Sequence, residues 1–177
     1  MKTKILILSV ILLTNCKNEK PIDSLEVVNP IPVESKVKVV LDMIVPKDDM
    51  FQVFYTEDGT SNFSEEMSVR LIVKGSDLSQ KLVFELSEDL VITKLRIDIG
   101  ENTGQGQMIM NNFYIQYFDK IFETKGKEFF DYFGPTEEIT VDYPNSTITT
   151  AQTGKSYDPI FYQIDYLLTE ELKKIQN

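Results

Sequence analysis

Arg96 and Asp98 stand two residues apart in a stretch, residues 91–100, whose apolar and polar residues alternate. Side chains of an extended strand alternate faces, so a guanidinium and a carboxylate at this spacing share one face. There they can contact hydroxyl groups, or bridge neighbouring strands. Carboxylates supply most of the remaining chemical potential. Asp98 with Glu101, Glu65 with Glu66, and Glu137 with Glu138 are pairs of the kind a glycoside hydrolase uses, because that reaction needs only two such groups. Paired acids beside turns in an acidic chain read instead as solvated surface. Asp48-Asp49 and residues 98–102 offer oxygen atoms to a calcium ion, without the regular spacing of a calcium loop.

Several chemistries are closed to this chain. It has no histidine, which excludes Ser–His and Cys–His nucleophile pairs and any imidazole-ligated zinc. Gly104-Gln105-Gly106 lacks the third glycine and the strand-to-helix context of a dinucleotide loop, so it reads as a turn. The expectation is a binding protein with no catalytic residue, no cofactor and no metal. Aromatic residues crowd between Phe113 and Phe133, where tyrosines 114, 117 and 132 are interspersed with phenylalanines. Two readings of that crowd stand. The rings plug one end of a core, or some tyrosines form a platform for sugar rings, stacking on an apolar sugar face while the hydroxyl hydrogen-bonds. Arg96, Asp98, Tyr114, Tyr117 and Tyr132 are therefore the candidate ligand-binding set.

The elements that position these residues are strands. Leu82, Phe84 and Leu86 alternate with polar residues, as do Val91, Thr93, Leu95, Ile97 and Ile99, across the polar turn Ser87-Glu88-Asp89. This predicts a β-hairpin over residues 81–100 with one buried face. The same rhythm runs through residues 37–45, 51–55 and 69–73, each closed by a turn such as Asp58-Gly59 or Gly75-Ser76-Asp77. Ile109, Phe113, Ile115 and Tyr117 are expected on one face of a further strand. A short helix is expected over residues 126–133, a hairpin over residues 139–152, and a terminal helix over residues 170–175 capped by Thr169. Many short strands with few helices indicate an all-β sandwich or jelly roll with short peripheral helices.

The N-terminus is different in kind. Lys2 and Lys4 precede an apolar run from Ile5 to Leu13, far shorter than the roughly twenty residues of a spanning helix. The run ends at Cys16, the only cysteine, and this arrangement resembles the signal of bacterial lipoproteins. The resemblance implies a lipid on Cys16 and attachment to the outer membrane, on its periplasmic or cell-surface side. Residues 1–16 are then the signal, residues 17–35, with Pro21, Pro30 and Pro32, a tether, and residues 36–177 the sandwich. Without Lys2 and Lys4, 16 basic residues face 28 acidic ones, a formal charge of −12. Such a body repels phosphate backbones, which argues against nucleic acid, and repels anionic lipid, which leaves Cys16 as the membrane contact.

Residues 49–55 (DMFQVFY), 63–70 (FSEEMSVR), 95–98 (LRID) and 111–115 (NNFYI) together resemble a β-sandwich module of Gram-negative lipoproteins and membrane proteins linked to surface glycans. The resemblance spans about residues 36–160 and implies a jelly-roll, galactose-binding-like sandwich that serves as a carbohydrate-binding module. The alternative from another class is an adaptor lipoprotein that docks a protein partner through a sheet edge or the aromatic end. A carboxylate-based glycosidase ranks third.

Overall fold

Five alternate residues of the first strand, Val37, Val39, Leu41, Met43 and Val45, are fully buried, and this row is the inner face of one of two sheets. The computed structural model describes residues 37–87, 90–154, 156–164 and 166–177. The expected signal, Cys16, the tether and the Glu88-Asp89 part of the expected turn lie outside them. The strands are β1 (Val37–Val45), β2 (Asp49–Thr56), β3 (Ser68–Val73), β4 (Ser76–Glu85), β5 (Lys94–Asp98) and β6 (Gln107–Tyr117). They continue with β7 (Lys120–Lys125), β8 (Phe133–Pro135), β9 (Ile139–Asp142), β10 (Thr147–Thr150) and β11 (Ile160–Gln163). The helices are α1 (Phe129–Tyr132) and α2 (Leu167–Gln176).

The first sheet runs β4-β1-β6-β10-β9, with β7 also paired to β6, and the second runs β3-β2-β5-β11-β8. Every pairing is antiparallel. The chain is an all-β sandwich with short helices, the expected class. The inner faces share one apolar layer, and aromatic rings bind its two sides together. Phe113 of β6 meets Phe129 and Phe133 edge-on, at 5.4 and 5.2 Å between centroids. Phe129 stacks on Phe133 at 4.7 Å and meets Phe161 of β11 at 5.3 Å. Helix α1 is thus a wedge that sets one phenylalanine among strands of both sheets.

Three expectations are corrected. Residues 81–100 do not form a hairpin: β4 lies in the first sheet and β5 in the second, and the segment between them crosses the sandwich. Leu86 N–H donates to Val37 C=O at the start of that crossing, and Thr93 N–H donates to Thr56 C=O at its end. The alternation also changes phase there. Leu90 and Ile92 are buried while Val91 is exposed, and inward residues resume at Leu95, Ile97 and Ile99.

A second phase change lies in β6. Asp42 pairs with Asn112 but Met43 pairs with Met110, so Asn111 is an extra, bulged residue. Met108 and Met110 therefore face the core together with Phe113 and Ile115, and Ile109 points the other way. Helix α2 begins at Leu167, three residues before the expected start, with Tyr166 and not Thr169 at its N-cap. Leu168, Leu172 and Ile175 form its buried stripe, and the first of these lies outside the expected span.

The phase change at the crossing is testable by a pair of neighbours. Val91→Asp is expected to shift stability by no more than about 0.5 kcal/mol. Ile92→Asp is expected to cost about 3 kcal/mol or more, because it places a carboxylate in the core. Urea denaturation of the two variants checks this, and equal costs would contradict the assignment.

Candidate functional site

The outer face of the second sheet carries a set of interlocked polar and aromatic side chains. Register places Phe54 of β2 opposite Arg96 of β5, and Tyr162 of β11 opposite Arg96 on its other flank. The Arg96 guanidinium carbon lies 4.6 Å from the Phe54 ring centroid and 5.9 Å from that of Tyr162. Cation–π attraction thus holds it from both sides. Phe54 is itself buttressed edge-on by Phe63 at 6.4 Å. Tyr162 is 42% exposed, and Gly134 of β8, which has no side chain, lies opposite it.

One row along the strands, Arg70, Gln52 and Asp98 line up in the same way. Arg96 donates through Nε to Asp98 Oδ1 at 2.8 Å and through Nη2 to Oδ2 at 2.6 Å. This two-pronged contact fixes both side chains, which are only 20% and 18% exposed. Burial pushes the Asp98 carboxyl up and Asp158 and Glu65 add to that, against the downward pull of Arg96. For Arg96 partial burial works against the cation, but the bonds and charge of Asp98 outweigh it and raise its value. On the other side of the row Gln52 is locked in place. Its amide nitrogen donates to Glu65 Oε2 and Ser68 Oγ, and its oxygen accepts from Arg70 Nε. Arg70 Nη2 also reaches Glu65, at 3.0 Å.

Beside these rows the sheet ends in a cleft of about 280 Å³. The strands contribute Met50, Gln52 and Asp98 to its wall, and the loops contribute Gly100, Glu101, Tyr157 and Asp158. The wall is held by Asp49. One of its oxygens accepts from the backbone N–H groups of Met50, Glu101 and Asn102, and the other accepts from Gln105 Nε2 at 2.6 Å. Gln105 is almost fully buried and also bonds both backbone groups of Lys47, whose ammonium reaches Gly104 C=O. Gly100 lets Asp49 approach: its φ is +114°, and a Cβ there would lie closer than 3.0 Å to all three carboxylate atoms of Asp49. The Tyr157 hydroxyl lies 2.7 Å from Thr150 Oγ1 and 3.3 Å from Asn102 O. Burial, with a contribution from Asp49, pushes its phenol up.

The five candidate residues do not converge. Arg96 and Asp98 form the pair just described, while Tyr114 sits in β6 of the other sheet beneath the Lys81 ammonium at 5.8 Å. Tyr117 packs against the core and meets Phe118 edge-on at 4.9 Å. Tyr132 also packs against the core, edge-on to Phe122 at 5.0 Å, and partial burial followed by the charges of Glu171 and Asp131 pushes its phenol up. The aromatic crowd is mostly core. Of the carboxylate pairs, Asp98 and Glu101 share the cleft. Glu65 belongs to the Gln52 network, while the Glu66 carboxyl is held down by its own backbone N–H and the Ser64 hydroxyl. Asp48 accepts from Lys74 and from Gly75 N–H, so both acids at that corner serve loop architecture. Among the described residues, no three or more Asp, Glu, His or Cys side chains gather closely enough to hold a metal ion.

Phe54, Tyr157, Asp158 and Tyr162 were not distinguishable in sequence, because strand register and loop position alone bring them to Arg96 and Asp98. Comparison with protein-family models, with curated proteins and with solved structures finds no match.

Gly100→Ala is expected to destabilise the chain by about 1–3 kcal/mol, through a strained φ and displacement of the Asp49 carboxylate. Thermal unfolding checks this, and a neutral effect would remove Gly100 as the keystone of the cleft.

Proposed function

We propose that the chain is a membrane-anchored lipoprotein whose sandwich binds surface or cell-wall carbohydrate on the outer face of the second sheet. The row Phe54–Arg96–Tyr162 carries this reading. It presents a half-exposed ring whose orientation is set by a clamped guanidinium, next to a cleft of polar wall. An aromatic face takes the apolar side of a sugar ring, while neighbouring charged groups meet its hydroxyls. Arg96 Nη1 has no acceptor among the described residues and is the donor on offer. Attachment to the outer membrane comes through a lipid on Cys16. Among the described residues no helix is long and apolar enough to cross a membrane. Both oxygens of Asp98 accept from Arg96, which favours a binding role over proton transfer in a glycosidase.

A second reading, an adaptor that docks a protein through a sheet edge, draws support from Ile72 of β3 and Leu78 of β4. These lie on edge strands and are 80% and 77% exposed.

A glycan array probed with the full chain in detergent tests the leading reading. Tyr162→Ala is expected to lower affinity for whichever glycan binds by about 2 kcal/mol, roughly thirtyfold. Absence of any glycan ligand, together with a stoichiometric protein partner in a pull-down, would transfer support to the adaptor. Cys16→Ser is expected to move the chain from the membrane to the soluble fraction and to abolish fatty-acid labelling.

A further inference from the structure

We infer that the cleft selects its glycan by charge, taking uncharged or amino-bearing sugars and turning away those with carboxylate, sulfate or phosphate groups. The inference rests on the carbohydrate reading above and concerns what the same site admits.

A count of free hydrogen-bonding groups leads to it. Gln52, in the cleft wall, has spent its donors on Glu65 and Ser68 and its oxygen on Arg70. Arg96, the partner of Asp98 in the wall, has committed Nε and Nη2 to that carboxylate and has its charge matched there. Arg70 is matched in turn by Glu65. The Tyr157 hydroxyl already has Thr150 and Asn102 within reach. Apart from Arg96 Nη1, what the wall retains is acceptor capacity: neither the Glu101 nor the Asp158 carboxylate has a side-chain partner among the described residues, and both line the cleft. Beyond the one bond Arg96 Nη1 can give, a ligand must bring the donors, which sugar hydroxyls and ammonium groups do and sugar carboxylates do not.

Charge points the same way. Asp98, Glu101 and Asp158 line the cleft, and the guanidiniums beside it are matched by carboxylates, Arg96 by Asp98 and Arg70 by Glu65. After burial, that same field, through Asp158 and Glu65, pushes the Asp98 carboxyl up. An anionic sugar would enter against it, and among the described residues that line the cleft there is no cation to receive it.

The test is an array on which neutral, amino-bearing and acidic glycans are represented, probed with the full chain. Binding confined to the first two groups is expected. The double variant Glu101→Gln/Asp158→Asn should gain about tenfold or more for the acidic members, since a like-charge contact is removed. Thermal unfolding of this variant and of the two single variants verifies that each is folded. Acidic glycans bound as well as neutral ones, or no gain in the folded variants, would overturn charge selection and leave carbohydrate binding standing. Binding to no glycan at all would remove both.

Discussion

Two sheets can share one core only if something fixes the distance and angle between them. Here that constraint is the ring cluster in which Phe129 touches Phe113 of one sheet and both Phe133 and Phe161 of the other. Edge-to-face and offset-stacked rings have preferred geometries, so the cluster positions the sheets as well as burying area. The outer face depends on it directly. Phe161 points inward next to Tyr162, which points outward, so the backbone that seats one ring in the core presents the other to solvent.

From there the site is built outward in rows. Antiparallel register brings Phe54, Arg96 and Tyr162 abreast, and Arg70, Gln52 and Asp98 abreast one step along. Each member is held by its neighbours: the guanidinium by two rings and a carboxylate, the glutamine by three partners. At the open end of the strands Asp49 gathers four donors, one from its own strand and three from the loop between β5 and β6. A carboxylate that satisfies several backbone amides acts as a local fastener for that corner.

Much of the architecture is legible from period-two alternation, and the failures have a common cause. Alternation reports which residues are inward within a strand. It says nothing about which strand is the neighbour, or about a residue inserted without a partner. The buried rows of β1 and the β9–β10 hairpin follow directly from the sequence. The apparent hairpin at residues 81–100 fails because two well-patterned strands separated by polar residues look the same whether they pair or part. Asn111 reverses the face of Met108 and Met110 without any turn residue to signal it. In the site, Arg96 and Asp98 are adjacent on one strand face and could be paired from spacing alone. Tyr162 and Tyr157 come from more than fifty residues downstream, and Tyr114, Tyr117 and Tyr132, attractive by composition, are dispersed by the fold.

The order in which the strands are visited has a kinetic consequence. The chain passes from one sheet to the other between β1 and β2, β3 and β4, β4 and β5, β5 and β6, β7 and β8, β8 and β9, and β10 and β11. Few native contacts can therefore form before distant parts of the polypeptide have met. Topologies of this kind reach the native state in about milliseconds to seconds, where helical bundles take microseconds to milliseconds. During that interval unpaired strand edges are open to other chains, so the yield of native protein should depend on how dilute the nascent molecules are.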